Sequence, residues 1–145
     1  MARNVCPFTP MPRYVLLRHD CPPAMGRSSH WDFMLEHTGA LWTWALQDLP
    51  AEWQRQLAIG SDDTFKDEVR AERLADHRLD YLEYEGPLSE GRGNVRRIAT
   101  GIYALVEASE RRIVARLAEP LSGIALLSRS DRPPMDWQLI RLHGD

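Results

Sequence analysis

HWDFMLEHTGALWTWAL, residues 30–46, is the stretch that decides how this chain folds. Its first eight residues read as a strand. Side chains alternate along extended backbone, so Trp31, Phe33 and Leu35 share one face. His30, Asp32, Met34 and Glu36 share the other. Thr38-Gly39 then makes a tight turn. Ala40–Leu46 returns as the second arm of a hairpin, with Leu41 and Thr43 facing opposite to Trp42 and Trp44.

The same reading extends in both directions. Upstream, Arg13–Arg18 (RYVLLR) is a short apolar run with β-branched and aromatic residues, hence a strand. Residues 20–29 (DCPPAMGRSS) form a loop, and residues 1–12, with Pro7, Pro10 and Pro12, an extended arm. Downstream, residues 50–58 predict a short helix that starts at a proline and carries Glu52 in its first turn. Residues 60–69 are polar and read as a mobile loop. Arg70–His77 fits a helix or a strand, and periodicity does not choose between them. Leu79–Glu85 alternates and ends at Gly86-Pro87, followed by the turn-rich PLSEGRGN. Asn94–Ala99, Ile102–Ala108, Ile113–Leu117, Ile124–Ser128 and Trp137–Leu142 are short β runs with turns between them. The fold expected is mainly β: a small closed or nearly closed barrel with short flanking helices and loops, one domain over residues 13–145.

Composition sets the outer limits. At 145 residues, 43% hydrophobic and 27% charged, the chain can bury a core without staples. No apolar run approaches the roughly 20 residues that span a bilayer, and the first residues lack the apolar core of a secretory signal. Cys6 and Cys21 stand in no metal-binding spacing; they fit a reducing cytoplasm, the expected location, at least as well as a lone disulfide. The net charge of −3 argues against a broad nucleic-acid coat but leaves room for a pocket that holds one phosphate. Lys66 is the only lysine among 18 cationic residues. Of the five tryptophans, Trp31, Trp42 and Trp44 fall in the hairpin. They suit a base-stacking platform or, better, the core of a small barrel.

Two groups of residues can carry chemistry. His30 and Asp32 project from one face of one strand, and His19 ends the strand before it. If the two strands are close, an N,N,O set converges that suits Mn²⁺ or Zn²⁺ with positions left for water or substrate. The plainer reading is three polar residues on the exposed face of a half-buried strand. The second group is His77, Asp80, Tyr81, Glu85 and Arg92. An imidazole near a metal can donate to a phosphate oxygen or protonate a leaving group, and the glycine-flanked Arg92 can offer a guanidinium to phosphate. A surface histidine and a turn arginine are the plainer readings here.

At His30 the chain resembles the 3′-phosphoesterase domain of bacterial end-joining DNA ligase D. That family carries H-x-A-x-x-L-H-Y-D-F-R-L-E-H and then a hairpin with W-A. This chain has His19-Asp20, the block from His30 to His37, and Trp44-Ala45. The family's H-P-L-D-Y-x-x-F-E-G block is matched by HRLDYLEYEG, residues 77–86. Its later blocks are similar to Thr100–Tyr103, Leu121–Arg129 and Asp136–Arg141. The blocks keep the family's order over residues 13–142.

The resemblance implies a β-barrel with a Mn²⁺-dependent activity (Zn²⁺ or another divalent metal being the alternative) on 3′ ends of DNA or RNA-tailed DNA. It implies His19, His30 and Asp32 as metal ligands, with a longer loop than the family's between the histidines. It implies His77 at the scissile phosphate and Tyr81 close by. A separate ligase or polymerase would be the partner, and no membrane is involved. Two departures stand out. Met34 replaces a phosphate-holding arginine, and Gln47-Asp48-Leu49-Pro50 replaces P-K-G-P with its lysine. Losing such a group costs on the order of 10²-fold or more in rate. Arg27, Arg92 and, less directly aligned, Arg73 are the candidate replacements. A module that binds phosphorylated ends with weakened or no turnover is the rival expectation, and a purely structural or partner-binding barrel a more distant one.

Overall fold

The computed structural model describes residues 11–59 and 66–144. Most of the N-terminal arm, and residues 60–65 of the polar segment, lie outside that range. The strands are β1 (Arg13–Asp20), β2 (His30–His37), β3 (Ala40–Leu46), β4 (Glu68–His77), β5 (Gly86–Pro87), β6 (Asn94–Ala108), β7 (Arg112–Leu117), β8 (Gly123–Arg129) and β9 (Trp137–Leu142). One helix, α1 (Ala51–Leu57), links β3 to β4. Every pairing is antiparallel, in the order β1-β2-β3-β4-β9-β8-β7-β6, and β6 pairs back onto β1. Eight strands therefore close into a barrel, and β5 adds a short ninth to the other edge of β6. Closure leaves almost no strand edge unpaired.

The hairpin reading holds in detail. Phe33 and Leu35 point into the barrel with Tyr14, Leu16, Trp44 and Leu46, and Trp31 packs partly buried against them. α1 closes the interior with Trp53, whose ring lies 5.1 Å from Phe33. The tryptophans thus serve chiefly as core: Trp44 and Trp53 are fully buried. A second apolar cluster lies on the outer face of the same strands. Val15, Leu17, Met34, Leu41 and Val95 are covered there by Leu82.

One stretch settles a choice that the sequence reading left open, and two others differ from it. Arg70–His77 is resolved as strand, within β4. The alternating Leu79–Glu85 forms a 3-10 turn over Leu79–Leu82 rather than a strand. Its backbone is satisfied locally, with the amides of Glu83 and Tyr84 donating to the Asp80 carbonyl, and only Leu82 is buried. The two runs 94–99 and 102–108 are one strand, because Gly101 is not a turn. It is a close approach: a β-carbon there would stand 2.4 Å from the Glu119 carbonyl oxygen and 2.9 Å from the Tyr14 ring.

Candidate functional site

His19, near the end of β1, pairs directly with His30, the first residue of β2, and Leu17 pairs with Asp32. Directly opposed residues on antiparallel strands share a face. All three polar side chains therefore come together at one end of the outer apolar cluster. The imidazole centroids are 4.8 Å apart. His30 and Asp32 are buried, at 1% and 3% exposure, so they are not the exposed face of a half-buried strand. What buries them is the outer cover. The loop between β5 and β6 presses against the end of β1 so closely that a β-carbon on Gly93 would stand 2.0 Å from the Asp20 carbonyl oxygen. Gly93 also has φ +100, which only glycine adopts freely.

Backbone carbonyls from two loops fix the chemistry of the ring nitrogens. His19 Nε2 lies 2.8 Å from the Arg92 carbonyl and His30 Nδ1 lies 2.9 Å from the Ser28 carbonyl. A carbonyl only accepts, so both nitrogens donate. In the neutral rings the lone pairs then sit on His19 Nδ1 and His30 Nε2. Both face Asp32: His19 Nδ1 is 3.8 Å from Oδ2, and His30 Nε2 is 3.2 Å from Oδ1. Oδ1 is buried and has no hydrogen-bond partner. Two lone pairs and a carboxylate turned toward one another need positive charge between them. A proton supplies some of it. Burial pulls the His30 pKa down, yet the Asp32 carboxylate and Ser28 carbonyl outweigh it and leave it raised. A divalent cation answers the same demand more fully, and imidazole and carboxylate are donor types that such cations accept.

The site opens into a cleft of about 180 Å³. His19, His30, Asp32, His77, Tyr81, Arg27 and Arg92 all line it, so the two sequence groups meet in one place. His77 Nδ1 donates to the Ala75 carbonyl at 2.8 Å, which leaves Nε2 available. Tyr81 stands edge-on to the His77 ring at 5.5 Å. Arg92 is braced by Ser89, through its Nε to the carbonyl at 3.0 Å and a terminal nitrogen to the hydroxyl at 2.9 Å. Arg27 reaches Glu72 at 3.3 Å in an exposed pair that a stronger anion can displace. Met34, 1% exposed, forms part of the cleft floor where the family's arginine would be.

Arg73 does not join the cleft. It pairs with Trp44 across β3 and β4, on the opposite face of the sheet from His77. Its guanidinium lies 4.5 Å from the Trp44 ring centroid and 5.6 Å from that of Trp137. One residue that sequence reading passed over does join the histidines. One ligand atom from each of His19, Cys21 and His30 lies within 4.8 Å of the other two. The sequence reading had set Cys21 aside as standing in no metal-binding spacing; its local sign is its place two residues after His19, and the pairing of His19 with His30 completes the group.

The sequence pattern of the DNA ligase D 3′-phosphoesterase domain matches this chain over residues 23–141. The chain belongs to that family. No curated protein shows a significant match to it. The matched span of the phosphoesterase-type domain includes His30, Asp32, His77, Tyr81 and Arg92, and begins after His19 and Cys21. His19, before the span, takes its place in the site through its pairing with His30. Among the described residues, no helix is long and apolar enough to cross a membrane.

Proposed function

We propose that this domain is a metal-dependent 3′-phosphoesterase that clears 3′-phosphates and 3′-ribonucleotides from DNA ends before they are extended or sealed. The observation that carries the reading is the buried Asp32 carboxylate, its Oδ1 without a hydrogen bond and a nitrogen of each of His19 and His30 turned toward it, beside a cleft that holds His77 and two arginines. His19, His30 and Asp32 would hold the divalent cation, Mn²⁺ being the family's expectation. When bound, the cation would polarise a phosphoryl oxygen and lower the pKa of a water.

The chain's own residues would do the rest. The Arg27 and Arg92 guanidiniums are placed to orient the terminal phosphate as two-pronged donors. His77, its Nδ1 tied to Ala75, keeps Nε2 to move a proton at the scissile phosphate, with Tyr81 holding the ring's orientation. Hydrolysis breaks the bond between phosphorus and the 3′ oxygen, takes up one water, and leaves a 3′-hydroxyl and inorganic phosphate. A 3′-hydroxyl is what strand extension and sealing require, so a ligase or polymerase acting on the same end would be the natural partner.

A second reading follows from Met34. With an apolar side chain where the family holds phosphate by arginine, the cleft can bind phosphorylated ends and turn them over slowly or not at all. One assay separates the two readings. Purified protein with Mn²⁺ is offered a DNA strand ending in a 3′-phosphate, and released phosphate is measured beside end binding. Metal-stimulated release that disappears in Asp32→Asn supports the enzyme. Binding without release above the Asp32→Asn background supports the binding module. Neither binding nor release removes the DNA-end reading altogether.

A further inference from the structure

We propose that Cys21 is a ligand of the same metal centre, converting an N,N,O site into one with a thiolate donor that prefers Zn²⁺-like cations over Mn²⁺. The inference rests on the metal-site reading above and adds to it the chemical class of the metal.

Two independent observations carry it. The first is proximity: His19, Cys21 and His30 each offer a ligand atom within 4.8 Å of the other two. Ligands on one tetrahedral Zn²⁺ stand roughly 3.5 Å apart, given metal–nitrogen bonds of about 2.0–2.1 Å and metal–sulfur bonds of about 2.3 Å. The gap is about an ångström, within reach of side-chain rotation. The second is the Asp32 carboxylate, 3% exposed, with Oδ1 unpartnered and aimed at the same histidines. A cation is called for there whether or not the sulfur takes part.

The backbone explains how Cys21 comes to be in place. Cys21 directly follows β1, two residues after His19, and the exposed Asp20 lies between them, paired with Arg18. Its amide donates to the Ser29 hydroxyl at 2.8 Å. One residue earlier, the Ser28 carbonyl accepts from His30 Nδ1. The loop that lengthens the distance between the two histidines is thus pinned at both ends of the site. Its first residue is Cys21, which the end of β1 holds beside His19. A thiolate is a soft donor and favours Zn²⁺ or Co²⁺, whereas Mn²⁺ favours carboxylate and water oxygens. Binding breaks the S–H bond, forms a metal–sulfur bond and releases one proton to solvent, with no change of oxidation state.

The test uses Co²⁺ as a visible stand-in for Zn²⁺, on the full chain, stripped of metal and kept reduced. Cys6→Ser leaves Cys21 as the single thiol and serves as the reference. The reference protein should bind one Co²⁺ with a near-ultraviolet sulfur-to-cobalt charge-transfer band. Cys6→Ser/Cys21→Ser should lose that band, still bind metal, and lose at least about 10-fold in Zn²⁺ affinity with little change for Mn²⁺. Zn²⁺ should also protect Cys21 of the reference protein from alkylation by iodoacetamide, a readout that needs no further variant. Co²⁺ binding without the charge-transfer band, or Zn²⁺ binding without protection, overturns the thiolate and leaves the His/His/Asp site standing. If none of Co²⁺, Zn²⁺ and Mn²⁺ binds the reference protein, the metal site itself falls, and the thiolate with it.

Discussion

The two faces of β1 and β2 make opposite use of the same alternation. Inward, Tyr14, Leu16, Phe33 and Leu35 join a single apolar core with residues from β3, β4 and β6 to β9. Outward, Val15, Leu17 and Met34 begin as a second apolar cluster, but the row ends in His19, His30 and Asp32. The inner face needs only the barrel to bury it. The outer face would be wet without its lid, formed by the 3-10 turn at Leu79–Leu82 and the Ser89–Gly93 loop. That difference assigns the work: the inner face makes the fold, and the outer face, with an added cover, makes the site. Polar groups can be buried on the outer side because the cover and the loop between β1 and β2 each bring a backbone carbonyl, Arg92 to His19 and Ser28 to His30.

Asp32 and Phe33 are neighbours in sequence on opposite faces, so exchanging them one at a time breaks the comparison most sharply. Phe33→Ala opens a void in the inner core and should cost about 3–5 kcal/mol, a large fraction of a domain's stability. Asp32→Asn should abolish metal-stimulated phosphate release while moving the unfolding midpoint of the metal-free protein far less than Phe33→Ala does, because the near-isosteric amide opens no void and gives up only the close approach to His30 Nε2. Denaturant melts with and without metal, run beside the phosphate assay, check both. If Asp32→Asn unfolds the protein as Phe33→Ala does, the carboxylate is structural and the division between faces fails. His77→Ala sharpens the same contrast from across the cleft. It should lower turnover about 10²-fold or more while metal affinity stays essentially unchanged. Loss of metal binding in that variant would make His77 part of the metal shell instead.

The inner face was the more legible of the two. Alternation in residues 30–46 was enough to place Phe33, Leu35 and Trp44, because a closed barrel has one interior and every strand must present its apolar face to it. The family pattern then named His30, Asp32, His77 and Tyr81. What remained hidden depended on contacts far apart in sequence. Cys21 reaches the histidines only because strand pairing sets His19 opposite His30. Arg73 is two residues past Ala71 on β4, and the pleat, together with the irregular pairing between β3 and β4, turns it away from the His77 face. Gly101 marks a close approach to Tyr14 and Glu119 rather than a turn, and nothing local distinguishes these two uses of glycine. The 3-10 turn at Leu79–Leu82 alternates like a strand, but its buried anchor is the single Leu82.

The inner face also sets an alkaline limit. Burial raises the pKa of Tyr14 to about 12, against a smaller lowering by the Leu121 amide. Burial and the Glu36 charge raise that of Tyr103 to about 12. Each phenol is raised above its unfolded value near 10. The stability tied to the protonated phenols is therefore fully present below pH 10 and lost as pH rises through 12, about 2–3 kcal/mol per tyrosine at the top of that window. Equilibrium melts between pH 9 and about 12 should show this loss. Tyr14→Phe should remove its share of the pH dependence. At neutral pH it should cost about 1–3 kcal/mol, because the hydroxyl donates to the Ala118 carbonyl at 2.6 Å and accepts from the Leu121 amide at 3.0 Å. A flat profile to pH 12 would mean that both phenols reach solvent.

The smallest expected effect separates the arginines. Arg27, Arg92 and the less directly aligned Arg73 were all candidates for a phosphate that has lost its usual arginine, but Arg73 lies on the other side of the sheet. Arg73 packs over Trp44 and Trp137. Burial lowers its pKa, partly offset by Asp76, with which it pairs at 3.8 Å. Arg73→Ala should therefore cost roughly 0.5–2 kcal/mol through the lost cation–π contact and change neither kcat nor KM for a 3′-phosphorylated strand. Arg27→Ala and Arg92→Ala should do the reverse, leaving stability within about 0.5 kcal/mol and raising KM or lowering kcat. Steady-state kinetics paired with denaturant melts on the three variants decide it. A kinetic defect in Arg73→Ala with normal stability would show that substrate crosses to the inner-face side of β4, and the assignment of the site to the outer face alone would have to be given up.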